Sequence, residues 1–154
     1  MPIFDYRFTV AAPQTAVSTF HHDTRILKLL TPPPMFVQIH SFEPLGEGSV
    51  ANFTIWAGPI PLRWQAIHTQ VSPSGFTDTQ ASGPMRFWQH THRFRALAPN
   101  LTEVHEHIEY QYHAGLRGLF TRLLFNKPGL WALFTARKWI TRRHVARLVA
   151  NEAA

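Results

Sequence analysis

The 154-residue chain contains no cysteine. That absence excludes a disulfide framework, thiolate metal sites and a cysteine nucleophile. It has no glycine-rich phosphate loop, and Gly115-Leu116-Arg117-Gly118 is not one. A nucleophile elbow and a dinucleotide fingerprint are absent too. No stretch approaches the ~20 uninterrupted apolar residues of a membrane span. Met1-Pro2-Ile3-Phe4-Asp5-Tyr6-Arg7 lacks the basic start and apolar run of a signal peptide. A soluble, cytoplasmic protein is the resulting expectation. Acidic residues are scarce, with 9 Asp and Glu against 15 Lys and Arg, for a net charge of +6 with His neutral. From Tyr110 to Ala150 there is no Asp or Glu, while Arg117, Arg122, Lys127, Arg137, Lys138, Arg142, Arg143 and Arg147 all fall there. A basic helix of this kind can be a solvated face, or can meet an anionic membrane or an acidic partner. Nothing beyond charge supports nucleic acid, which is not expected as a partner.

What is present is a globular composition, 45% hydrophobic and 16% charged. At this length one domain, residues 1–154, is expected, with enough buried surface to need no staples. Phe4, Tyr6, Phe8 and Val10 alternate as a strand does. Pro13 then suits the first position of a helix whose apolar face is Val17 and Phe20. Asp23 can cap a second short helix carrying Ile26, Leu27, Leu29 and Leu30, which Thr31-Pro32-Pro33-Pro34 stops. Six strands follow at short, turn-punctuated intervals: Phe36 to Phe42, Ser49 to Ala57, Leu62 to Val71, Phe76 to Ala81, Arg86 to Leu97 and Leu101 to Tyr112. Such spacing predicts an antiparallel meander. The tail changes to helical period through Leu116, Leu119, Phe120, Leu123 and Leu124. After Asn126-Lys127-Pro128-Gly129 a second stripe runs through Leu130, Leu133, Phe134, Ile140, Val145 and Leu148. A helix of ~20 residues there is ~30 Å long, enough to cross a whole sheet. The predicted class is α+β, in the order β-α-α-β6-α, with about seven strands curved around the long C-terminal helix.

That order and several motifs resemble the START-like, or SRPBCC, superfamily, including its polyketide cyclase/dehydrase-like and coenzyme Q-binding members. The matching residues are Leu30-Thr31-Pro32-Pro33, Arg63-Trp64, Phe76-Thr77-Asp78-Thr79-Gln80, and the run Gly83-Pro84 with Trp88, His90, His92 and Phe94. Tyr110 and the pair Phe134 and Arg137 complete them. The bacterial ligand-binding branch commonly has Asp where this chain has Glu106. It commonly has proline where His113-Ala114-Gly115 stands. The resemblance implies a helix-grip fold with an internal cavity between sheet and helix. The same fold hosts carriers, receptors and cyclases, so it does not supply a mechanism.

Alternation places Trp88, His90, His92 and Phe94 on one strand face, which their bulk marks as inner. Val104, Glu106, Ile108 and Tyr110 share a face of the last strand, with His105, His107 and Glu109 opposite. Asp78, His90, His92 and Glu106 thus form a polar group among aromatics. They can be a satisfied buried network that orients a ligand, an acid–base site or a metal site. The first is favoured, no metal site is expected, and the outer His105, His107 and Glu109 set is read as a solvent face. Arg137 lies in the apolar stripe of the last helix and needs a partner, expected to be Asp78 or Glu106 across the cavity. His144 shares that stripe and is expected to be a partly exposed helix residue. Trp131 and Trp139 fall off the stripe and are expected to be exposed beside basic residues, a composition that also suits contact with an anionic membrane.

Binding or transport of a hydrophobic small molecule (a lipid, a quinone or a polyketide-like aromatic) is therefore expected, without a cofactor. Trp64, Trp88, Phe94, Ile108, Tyr110, Leu133 and Phe134 would contact it, and Asp78, His90, His92, Glu106 and Arg137 would orient its polar end. The alternative is a cyclase/dehydrase-type enzyme in which His90 or His92 is the base, oriented by Asp78 or Glu106.

Overall fold

A computed structural model describes all residues from Met1 to Ala154. The chain runs β1 (Ile3–Val10), α1 (Gln14–His21), α2 (Ile26–Leu29), β2 (Met35–Phe42), β3 (Val50–Ala57), β4 (Ile60–Ser72), β5 (Gly75–Ser82), β6 (Phe87–Ala98), β7 (Leu101–Gln111), α3 (Leu116–Leu124) and α4 (Lys127–Glu152). The seven strands form one antiparallel sheet in the order β1-β7-β6-β5-β4-β3-β2. β2 to β7 are thus a meander, and β1 closes on the last strand. This is the expected α+β helix-grip arrangement. Two local details differ. Pro13 is the N-cap of α1 rather than its first helical residue. Asp23 accepts from the Arg25 amide and guanidinium instead of capping α2 itself.

α4 begins where the Asn126 side chain accepts from the Gly129 amide at 2.7 Å, with Pro128 in the first turn. Both features favour a helix start at this point. Its 26 residues make a rod roughly 39 Å long at 1.5 Å per residue. Leu130, Phe134, Thr141 and Val145 are its buried side. The first two join a core with Phe53, Trp64, Trp88 and Ile108. Val145 joins a second core with Phe8, Val17, Phe20, Phe76 and Phe94. α1 packs against α4 and β6, closing that end of the grip. Trp131 and Trp139 are exposed, as their place off the stripe predicts.

Gly75 shows why the sheet holds its shape beside the polar cluster. Its φ is +147°, and a Cβ there would lie 2.0 Å from the His92 carbonyl oxygen. Only glycine lets β6 approach so closely at the start of β5. That approach sets Phe76 opposite His92 and Asp78 opposite His90.

Candidate functional site

Three adjacent strands build the site. Asp78 on β5 pairs with His90 on β6, and His92 on β6 pairs with Glu106 on β7. With side chains alternating along each strand, all four project to the inner face. The diagonal partners also meet. His90 Nε2 lies 2.8 Å from Glu106 Oε2, and His92 Nε2 lies 3.1 Å from Asp78 Oδ2. His92 Nδ1 is 2.8 Å from the same Glu106 oxygen, and His90 Nδ1 is 3.6 Å from the same Asp78 oxygen. Two carboxylates and two imidazoles thus close a ring, with the imidazole centroids 3.9 Å apart. The His92 Nδ1 contact is short but lacks the alignment of a hydrogen bond. That nitrogen is the one fully buried side-chain polar atom without a hydrogen-bond partner.

Electrostatics divide the two histidines. Burial opposes charge on His92, but the Glu106 charge and hydrogen bonding to Asp78 outweigh it and raise its pKa to about 9. Burial and the neighbouring His92 charge lower the pKa of His90, against the pull of Glu106. Burial opposes ionisation of Glu106, yet His92 and His90 hold it well below the usual carboxylate range. Asp78 is lowered in the same way, chiefly by its His92 hydrogen bond against the cost of burial. At neutral pH His92 is therefore an imidazolium between two carboxylates, and His90 is neutral. With Glu106 ionised, His90 Nε2 donates and Nδ1 keeps the lone pair.

A cavity of about 140 Å³ lies over this ring, lined by 24 residues of which 15 are hydrophobic. Of the residues singled out by sequence, Trp64, Asp78, Trp88, His90, His92, Leu133, Phe134 and Arg137 line it. Trp64 meets Trp88 edge-on at 5.5 Å, and Phe125 stands over both. Phe94, Glu106, Ile108 and Tyr110 do not line the cavity, because side chains of the helices and of neighbouring strands cover them. Phe94 packs against His21 of α1, at 4.8 Å between rings, and against Phe76. Ile108 is wholly buried in the core with Phe4 and Phe134. Tyr110 packs between Trp88 and Tyr112. Glu106 sits against the histidines and is 4% exposed.

Arg137 corrects the expected ion pair. Its Nε donates to the Leu30 carbonyl at 3.0 Å, and its guanidinium lies over the Phe134 ring at 4.9 Å. Each carboxylate already engages both histidines, and the C-terminal end of α2 offers the arginine an open carbonyl. Asp78 and Glu106 still attract it electrostatically, against a larger effect of burial that lowers its pKa. Sequence reasoning missed two more histidines at the cavity, His21 and His68. His21 donates Nδ1–H to the Val17 carbonyl at 2.8 Å, and burial lowers its pKa to about 4. His68 Nδ1 lies 3.1 Å from the Ser49 hydroxyl. Alternation of Trp64, Ala66 and His68 along β4 is a signal that finds the second. His144 is partly exposed and stacks on Phe20, away from the cavity.

Two groups of donors can converge on one ion, namely Asp78 with His90 and His92, and Asp5 with His105 and His107. In the inner group His92 carries protons on both nitrogens at neutral pH, which opposes ligation. In the outer group one Asp5 oxygen accepts from His105 Nε2 at 2.7 Å and His107 Nδ1 at 2.8 Å. Asp5 comes from β1, a cross-strand neighbour invisible to a search of β7 alone.

No protein-family model and no curated protein sequence matches the chain. Solved structures do match it, almost end to end. The Zhui aromatase/cyclase from Streptomyces sp. R1128 aligns with a TM-score of 0.75 at 18% identity, over 96% of this chain and 95% of that one. A START superfamily protein from Mycobacterium smegmatis aligns at 0.71 and 11%, over 95% and 98%. The fold is START-like. The di-domain ARO/CYC StfQ of the steffimycin biosynthetic pathway aligns at 0.65 and 18%, over 94% of this chain and 46% of that one. At such identities the likeness carries the START-like fold and leaves the chemistry to the site.

Proposed function

We propose that this START-like protein binds a hydrophobic small molecule in the cavity between its sheet and α4. The carrying observation is the cavity itself, about 140 Å³ with an aromatic and aliphatic lining and His90, His92, Asp78 and Arg137 among its walls. Ligand sites combine apolar walls with a few placed polar groups in this way. A dry cavity of about 150 Å³ accepts a benzene ring. The size therefore favours a ring-bearing ligand, a quinone or polyketide-like aromatic, over burial of a whole lipid. Two structural neighbours, an aromatase/cyclase and a di-domain ARO/CYC, support an aromatic ligand. The Trp64 and Trp88 indoles report occupancy directly. Titration with 1-naphthol should change tryptophan emission saturably, and Ala66→Phe, which fills the cavity, should abolish the change. Native mass spectrometry of gently purified protein should show a co-purified aromatic or quinone. An unsaturable response that survives Ala66→Phe, with an unliganded mass, refutes the reading.

One observation favours a second reading, an acid–base enzyme of the cyclase/dehydrase kind. The two histidines of the polar ring have pKa values driven apart, which supplies a neutral base in His90 beside a cationic acid in His92. On this reading His90→Ala abolishes turnover while ligand affinity stays near wild type. On the binding reading affinity falls instead.

A further inference from the structure

α3 turns three leucines to the outside. Leu116, Leu119 and Leu123 are 88%, 62% and 70% exposed. Their spacing of three and four puts them on one stripe. The core-facing side of the same helix is also apolar, because Phe120 and Leu124 pack on the core and Gly118 and Thr121 are buried. The outer stripe therefore is not needed to hold α3 in place. A single exposed leucine needs no explanation, but a contiguous stripe does. Charge of one sign surrounds it. Arg117 and Arg122 lie on the same helix and Lys127 opens α4, all three exposed, and no acidic residue occurs from Tyr110 to Ala150. Exposed Trp131 and Trp139 follow on α4. Arg122 lies over the Tyr112 ring at 5.3 Å and stays exposed, whereas Arg142 is half-buried, its Nε donating to the Thr9 carbonyl at 2.7 Å.

We infer that α3 docks this protein on an anionic lipid bilayer, with Leu116, Leu119 and Leu123 in the acyl boundary and Arg117, Arg122 and Lys127 against lipid phosphates. An apolar stripe flanked by cations is the chemistry of an interfacial helix. No helix is long and apolar enough to cross a membrane. The nine residues of α3 lie on the surface. A nucleic acid would meet the cations and leave the leucines in water. A second copy would bring the same positive charge to the same face. Phe125, the residue that follows α3, lines the cavity, so docking brings one wall of the cavity close to lipid. The inference does not depend on what the cavity holds.

Vesicle co-sedimentation tests it with the full chain. Binding should be at least about tenfold stronger to phosphatidylcholine vesicles containing about 30 mol% phosphatidylserine than to phosphatidylcholine alone, and should weaken in high salt. The double variant L119D/L123D should lose about tenfold or more while keeping the wild-type circular dichroism and naphthol response. The triple variant R117Q/R122Q/K127Q, which leaves the leucines intact, should lose the preference for anionic vesicles. Three results overturn the inference: no binding to the anionic vesicles, binding that L119D/L123D leaves unchanged, or a wild-type dimer that this variant converts to a monomer without any vesicle binding.

Discussion

The ring of Asp78, His90, His92 and Glu106 ties stability to pH, and the alkaline side isolates one residue. The pKa of His92 rises from 6.5 to about 9 on folding. Between those values the folded protein holds a proton that the unfolded chain has released. The stabilisation is complete below pH 6.5 and is lost as pH rises through about 9. The interval amounts to about 3 kcal/mol. That is a large share of the 5–15 kcal/mol roughly typical of a domain. Urea unfolding followed by tryptophan emission at pH values from 6.5 to 9.5 should therefore show the unfolding free energy falling by about 3 kcal/mol. His92→Gln should remove this dependence, because the amide does not titrate. It should also start lower at pH 6.5, since Asp78 and Glu106 lose their counter-charge. The ring nitrogens of His92 should titrate with a midpoint near 9 in ¹⁵N spectra of the folded protein. A wild-type profile flat across this window, or an equal fall in His92→Gln, refutes the assignment of the proton to His92.

The acid side has the opposite sign. His21 falls from 6.5 to about 4 on folding, so the unfolded chain binds the extra proton and stability drops as pH falls through that interval. His21→Phe should shallow the acid limb of the same urea series, leaving what Glu106, Asp78 and His90 contribute. Gly75→Ala should cost about 2 kcal/mol or more in urea unfolding, because the added Cβ meets the His92 carbonyl and a side chain is strained at this φ. Arg137→Met keeps much of the side-chain volume and removes the bond to the Leu30 carbonyl. It should lower stability by about 2 kcal/mol with little change in the pH profile of the His92 ring.

Alternation made the inner wall legible. Once Trp88 and Phe94 mark the buried side of β6, His90 and His92 follow, and the antiparallel meander brings Asp78 and Glu106 beside them. What alternation does not carry is depth under the helices. Ile108 and Tyr110 share the face of Glu106, yet side chains from α4 and neighbouring strands bury them before any ligand reaches them. Arg137 shows a related limit. Its place in an apolar stripe announces a partner, but its hydrogen-bond partner is a main-chain carbonyl, which has no residue type to recognise. His21 is a lone imidazole on α1 and acquires meaning only when that helix packs over β6. The leucines of α3 gave a helical period correctly. Period fixes which residues share a side and says nothing about which side is covered.

The divided histidines bear on the choice between binding and chemistry less directly than their pKa values suggest. In this ring burial and the neighbouring His92 charge suppress the proton on His90, while Glu106 and Asp78 hold the one on His92. The division is thus a property of the ring, present whether or not anything reacts. What would make it catalytic is a reacting atom beside the lone pair on His90 Nδ1, and that atom must come from the ligand. The two functional readings therefore share one geometry and differ in one event, a proton moving from ligand to His90. Solvent deuterium exchange at an acidic carbon of a bound aromatic ketone would register that event in wild type and lose it in His90→Gln. Binding alone leaves the carbon unexchanged in both.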